Sequence, residues 1–441
     1  MMLEIALFTV VIATGALLLQ DRLGVPMPIT IISSIVTISA AGHAPFQISS
    51  EEFDALIYLM LPILICSDAL ALRWDEIKRH ALSLMYVAGV MILLSVGVAI
   101  ALNQMILPHY QLTAPAIAAL FCMVLATDPV TVTSVFGRFH LPHSLKVIAE
   151  GESLFNDASA LIVFSISLTY LGIGGDHAVS SPLSYSIQMI VGALLIGLLI
   201  GWAGLQTLSF IHDAMTETMI VLAMALSSFA IAEHFHASGI LAVIVSIMFA
   251  NSVITKRLSQ GDMLMNAPGP VGSKNALRTM LAGAETMIKD AAAYRVVQGN
   301  IQFAAIIAAT VLFITMANLV RLDLLTRYWR EILSVFIGTT LIRMTMLGFF
   351  ARLSRWTHRV VTVPLHWWKV LAAAGVKGAF SILMLHMIPP DFPYLQLFEA
   401  IVVGNILLST FLYPLALVGI IKLHRAKFEA EYQSDHLRFE E

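Results

Sequence analysis

The sequence predicts an all-α integral membrane protein of about 13 transmembrane helices, arranged as two inverted six-helix repeats with two discontinuous crossing helices. Hydrophobic residues make up 59% of the 441-residue chain and charged residues only 12%, against about 25% charged in ordinary soluble domains. The apolar residues gather in segments able to cross about 30 Å of hydrocarbon. Charges and helix breakers recur inside those segments, where each is costly and calls for a reason.

In chain order the segments lie near Ile5–Leu19, Val25–Ala41, Phe53–Leu72, Leu82–Leu107, Ala114–Gly137, Val147–Leu171, Tyr185–Phe210, Thr218–Ala232, Ser238–Ile254, Gln302–Val320, Ile332–Ala351, Val370–Met387 and Phe398–Leu423. The first, in "MMLEIALFTVV", carries Glu4 and no preceding basic stretch, so it reads as a membrane helix rather than a cleaved signal peptide. The eighth is short, and its separation from the ninth rests on "EHFHASG". An odd number of spans puts the termini on opposite sides. With the N-terminus outside, the cytoplasmic loops hold Arg22, Arg73, Lys78, Arg79, Arg138, Lys146, the basic residues of 256–298, those of 352–369 and those of the tail. The outside loops hold only Arg321, Arg327 and Arg330. This asymmetry predicts a multi-pass protein of the cell (inner) membrane, N-terminus outside and C-terminus cytoplasmic.

Residues 1–424 then form one transmembrane domain. Repeat one spans 1–172, a connecting helix 185–210 and repeat two 218–424. The long connection 256–298 begins as a Gly/Pro-rich linker and continues, over Asn275–Ala293, with the periodicity of a cytoplasmic amphipathic helix. Residues 425–441 read as a short charged cytoplasmic tail, too short for a regulatory domain.

Five charges fall inside the apolar segments: Asp128, Glu152, Asp157, Arg343 and Lys377. At 1.5 Å per residue from the cytoplasmic ends, Asp128, Asp157, Arg343 and Lys377 lie about 11–15 Å deep and Glu152 about 8 Å. Charge near one level on four helices points to a common polar site. In "KVIAEGESLFNDASALIVF", Glu152, Ser153, Asn156 and Asp157 share an arc of roughly 140°, with Leu154 and Phe155 opposite. Two carboxylates, an amide oxygen and a hydroxyl on one face suit a small alkali cation or a proton. A polar face that only glues helices together would use similar residues.

"VLATDPVTVTSV" places Asp128 and Pro129 in the fifth segment. Proline removes a backbone donor and pushes the preceding residue out of α geometry, so the helix should break near Thr127–Pro129. Asp128 would then offset the positive end of the following half-helix. Seven segments later, "VLAAAGVKGAFSILML" flanks Lys377 with Gly375 and Gly378, a second interruptible helix. An offset of seven inverts the orientation, which gives the two inverted repeats and makes the breaks a place to hold ions.

With these residues in view, "ATDPVT", "EGESLFND", the intramembrane Arg343 and the Gly-x-basic-Gly-Ala of the twelfth segment resemble the monovalent cation–proton antiporters. The branch is the electroneutral one of bacterial sodium/proton antiporters and animal sodium/proton exchangers, and the likeness covers Ile5 to Leu423. It implies Asp157 as the main ion- and proton-binding carboxylate, and Asn156 as the mark of an electroneutral member. Ser153 and the Thr127 carbonyl would complete the Na+ shell, with Glu152 nearby. Arg343 would be the structural partner of Glu152, and Asp128 would support the crossing helices. It also implies a homodimer with an elevator motion. Two departures stand out. Lys377 occupies a family Arg position, and the donor geometries of the two differ. "ICSDALAL" replaces a family Phe-Glu-Ala-Gly, with Asp68 read as interfacial.

Asp128, Glu152 and Asp157 against Arg343 and Lys377 leave one negative charge, which one Na+ or one H+ would neutralise. The function expected is secondary-active antiport of Na+ (or Li+) for H+, electroneutral and one for one, with both ions competing for Asp157. A K+/H+ antiporter of the same fold and a cation channel are the alternatives. The protein is expected not to be an enzyme and to need no cofactor. An intramembrane aspartyl protease would need Gly-x-Gly-Asp, and the nearest text, at Leu171–Asp176, has Ile173 for the first Gly. No phosphate loop or zinc motif appears. The net charge of −3 gives no sign of nucleic acid, and Cys66 and Cys122 fall in apolar runs without metal-type spacing. His140, His143, His234 and His236 are pH-sensor candidates by residue type and solvated loop residues by position.

Overall fold

The computed structural model describes residues 2–23, 27–40, 50–173, 182–211, 213–265, 291–317, 320–356 and 363–440, and these are almost wholly helical. The main helices are α1 (Met2–Leu23), α2 (Met27–Ala40), α3 (Ser50–Ala71), α4 (Trp74–Ala101), α5 (Ala114–Leu125), α6 (Pro129–Phe136), α7 (His143–Tyr170) and α8 (Pro182–Leu208). They continue as α9 (Ala214–His234), α10 (Gly239–Met265), α11 (Ala291–Ala317), α12 (Trp329–Trp356), α13 (Leu365–Ala373), α14 (Ala379–His386), α15 (Leu395–Leu423) and α16 (Arg425–Glu440). Among the described residues, every apolar segment of the sequence lies on a helix or a helix pair. Eight of the described helices are long and apolar enough to cross a membrane. Most of Asn275–Ala293 lies outside the described residues.

Helices run past the apolar windows where their ends are polar. α4 starts at Trp74, ahead of its hydrophobic run, with Asp75 and Glu76 in its first turn, where acids suit the helix N-terminus. Asp213 caps α9 by accepting the Thr216 N–H at 3.0 Å. "EHFHASG" is a tight turn: His236 takes a φ of 53°, and Glu233 Oε1 accepts the Gly239 N–H.

The chain forms two bodies. The first comprises Met1–Tyr58, Arg79–Ser186 and Ala309–Glu441. Its core joins Val87 and Met91 of α4, Val135 and Phe136 of α6, Leu145 and Ile148 of α7, Phe350 of α12, Trp367 and Leu371 of α13, and Leu417 of α15. Its outward surface is apolar, with Leu93, Leu341, Phe349 and Leu415 exposed, while Asp128, Glu152, Asp157, Arg343 and Lys377 are buried. Apolar outside with charge inside is the arrangement lipid demands. The exceptional basic cluster is held locally: Arg321 pairs with Asp323 at 3.3 Å, and Arg327 and Arg330 lie over the rings of Tyr328 and Trp329. The segment after Leu423, short and charged, is the helix α16, and its Phe428 belongs to this core.

The second body comprises Leu59–Lys78 and Ile187–Ala308. In it α8 meets α10 through glycines. A Cβ on Gly197 would lie 2.6 Å from the Ala242 carbonyl, and one on Gly201 2.9 Å from that of Ser246. Small residues let backbones approach where helices pack without a hydrophobic driving force. Asn251 donates to the carbonyls of Leu70 and Leu72 and accepts from the Tyr294 hydroxyl, closing the end of α3. Asp68 is half-buried in this body.

Candidate ion site at two interrupted helices

The fifth segment is two helices, not one. α5 stops at Leu125, residues 126–128 are unwound, and Pro129 opens α6 as its first residue. There its missing N–H costs nothing and its fixed φ suits the helix start. The twelfth segment is likewise divided, between α13 and α14, with residues 375–378 unwound. The two unwound stretches touch: the Asp128 N–H donates to the Val376 carbonyl at 2.8 Å.

That crossing explains the glycines better than flexibility does. A Cβ on Gly378 would stand 2.3 Å from Asp128 Cβ, and one on Gly375 would stand 2.6 Å from Arg343 Nε. Neither position has room for a side chain beside its neighbour. Close approach, more than low helix propensity, requires glycine here.

The first helix break releases backbone groups, and α7 receives them. Asp157 Oδ1 accepts the Thr127 N–H at 3.1 Å. Asn156 Nδ2 donates to the Leu125 carbonyl at 3.0 Å and to Thr127 Oγ1 at 3.1 Å, and Thr127 Oγ1 donates to Ser153 Oγ at 3.2 Å. Thr127, Ser153, Asn156 and Asp157 therefore form one hydrogen-bonded group, each at most 3% exposed. The sequence reading had Asn156 offering an amide oxygen. Its nitrogen donates, closing the end of α5, while Oδ1 has no hydrogen-bond partner among the described residues. Thr127 joins this group by its N–H and hydroxyl.

Asn156→Asp replaces two donations by an acceptor that faces the Leu125 carbonyl. Leaving buried polar groups unpaired costs about 1–3 kcal/mol. The variant is therefore expected to melt at lower temperature than the wild type when purified. Equal melting would show that the two donations carry nothing.

The remaining charges brace this group. Arg343 Nη1 lies 2.6 Å from Glu152 Oε1, and its Nη2 donates to the Leu371 carbonyl at 3.0 Å. The guanidinium thus links α7 to the C-terminal end of α13, where a cation also meets the negative end of the helix dipole. Lys377 is buried in the second break, in the electrostatic reach of Glu152, Asp157 and the like charge of Arg343. Its backbone N–H donates to Ser409 Oγ on α15 at 3.0 Å. Ser409 escaped the sequence reading. The available signal was Asn405 and Ser409, one turn apart on one face of a largely apolar helix. Of the candidate histidines, His140 packs its ring on Tyr432, with centroids 5.1 Å apart.

Buried carboxylates at two crossing helix breaks inside a multi-pass membrane protein are the makings of an ion-transport site. The family model of the transmembrane sodium/hydrogen exchangers matches residues 5–268, and the chain belongs to that family. The Na(+)/H(+) antiporter NhaG of Bacillus atrophaeus is 26% identical over 405 residues, which covers 88% of this chain and 69% of that protein. NhaH of Halobacillus dabanensis, also a Na(+)/H(+) antiporter, is 32% identical over 206 residues, 44% of this chain and 49% of the relative. Among solved structures, the sodium proton antiporter MjNhaP1 of Methanocaldococcus jannaschii aligns over 94% of this chain and 99% of its own, with a TM-score of 0.69 at 17% identity. That likeness is one of fold.

Proposed function

We propose that the protein is a secondary-active antiporter that exchanges Na+ (or Li+) for H+ across the cell membrane, one for one. The observation that carries this is Asp157, a carboxylate buried at the first helix break and hydrogen-bonded to it through the Thr127 N–H. Ser153 and Thr127 set neutral oxygens beside it, the donor set a weakly bound alkali cation takes. A proton on Asp157 and a cation on the same oxygens exclude each other. At the crossing, the acids Asp128, Glu152 and Asp157 against the bases Arg343 and Lys377 leave one negative charge, which either ion neutralises. Alternating access by a carrier that crosses only when neutralised couples the two fluxes and moves no net charge. In this reading Arg343 and Lys377 are fixed structural charges, Glu152 is held by Arg343, and Asp128 supports the crossing. The protein works as a homodimer with an elevator motion, N-terminus outside and C-terminus cytoplasmic.

Dequenching of a pH-sensitive dye in everted vesicles tests the reading. Addition of Na+ or Li+ is expected to release the quench. A response to K+ alone would make the substrate K+, and no response to any alkali cation would overturn antiport. A cation current in a planar bilayer would mark a channel.

A further inference from the structure

The tail helix α16 is hydrogen-bonded to the second interrupted helix and shares a core with the first. Glu431 accepts the Trp367 Nε1–H at 2.8 Å through one carboxylate oxygen, and its other oxygen lies 2.9 Å from His366 Nε2. Both partners stand in the first turn of α13, the half-helix that leads to the second break. Phe428, 1% exposed, packs its ring on His366 with centroids 5.0 Å apart. It shares the core with Val135 and Phe136 at the end of α6, the half-helix that leaves the first break. Tyr432 adds a ring contact to His140, in the turn after α6.

From these anchors a short path reaches the site. Leu371 lies one helical turn beyond Trp367, and its carbonyl holds Arg343, which pairs with Glu152. Half-helices of eight and nine residues are too short to hold their own position. α7, α15 and α2 pack along α6, and α12 and α15 along α13; α16 adds the anchors above at the outer ends of both.

We propose that α16 is a brace that sets the positions of α6 and α13, with Glu431 as a positioning residue for transport. This rests on the antiport reading, because its functional readout is cation affinity. A shift of α13 moves Leu371 and with it the guanidinium that orders Glu152. The effect therefore falls on the apparent KM for the cation more than on the maximal rate. Glu431→Gln keeps an oxygen for Trp367 and an amide that can face a His366 ring nitrogen, so it behaves as the conservative rescue.

The test uses the full chain in proteoliposomes and, in parallel, hydrogen–deuterium exchange of the purified protein. Glu431→Ala is expected to raise the apparent KM for Na+ severalfold with Vmax nearly unchanged. It is also expected to speed deuterium uptake in 129–137 and 365–373. Glu431→Gln stays near the wild type in both, as does Lys427→Ala, a change at an exposed position of the same helix. Trp367→Phe, which removes the indole N–H and keeps an aromatic ring, shifts KM in the same direction. Unchanged uptake in both half-helices of Glu431→Ala would overturn the brace, as would an equal effect of Lys427→Ala. The exchange arm reads the brace even if the wild type moves no ion, so failure of the brace is separable from failure of the antiport reading.

Discussion

Asp157→Asn abolishes cation-driven proton movement in proteoliposomes, to the level of empty vesicles, while the protein still purifies folded. The substitution keeps the shape of the side chain and an oxygen to accept the Thr127 N–H, so the unwound stretch between α5 and α6 retains its partner. What is lost is the titratable charge. With Asp157 neutral in every state, the buried acids and bases balance, and neither ion is needed to neutralise the carrier. Residual exchange at the wild-type rate would show that another group carries the proton. A variant that is both inactive and unfolded would instead make Asp157 a structural residue.

Arg343→Gln is expected to be the most destabilising single change at the site. It strands Glu152, which is 1% exposed. It also withdraws the donor from the Leu371 carbonyl at the end of α13. Removing one partner of a buried ion pair costs about 3–5 kcal/mol, because the other charge stays buried. Adding Glu152→Gln removes that charge, so the double variant should recover much of the lost stability, although the Leu371 carbonyl keeps only the Ala374 N–H. Thermal unfolding of the purified proteins checks this. A double variant less stable than Arg343→Gln alone would contradict it. Arg343→Lys should fall between, since one ammonium lacks the fork that serves Glu152 and Leu371 together.

How much of this was legible in the sequence varies by residue. Asp128–Pro129 announced its break openly, because a continuous membrane helix has no use for a charge beside a helix breaker. The second break was readable only in part. Gly375 and Gly378 suggested weakness, but their need for close approach depends on Asp128 and Arg343, which come from distant segments. The polar arc on α7 was legible from its spacing alone. The direction of its hydrogen bonds was not, because an amide carries both donor and acceptor and only the Leu125 carbonyl decides which is used. Hydropathy also hid the polar starts of helices such as α4. It hid the docking of α16 too, since Phe428 and Glu431 sit in a stretch whose charge makes it look solvated.

Initial rates of Na+-driven proton movement in proteoliposomes, measured over a matrix of Na+ concentration and pH, bear most directly on the shared site. Competition for Asp157 predicts that the apparent KM for Na+ rises as pH falls, approaching about tenfold per pH unit where the proton dominates, while Vmax at saturating Na+ stays constant. A KM independent of pH, with Vmax falling instead, would mean that proton and cation bind at separate places.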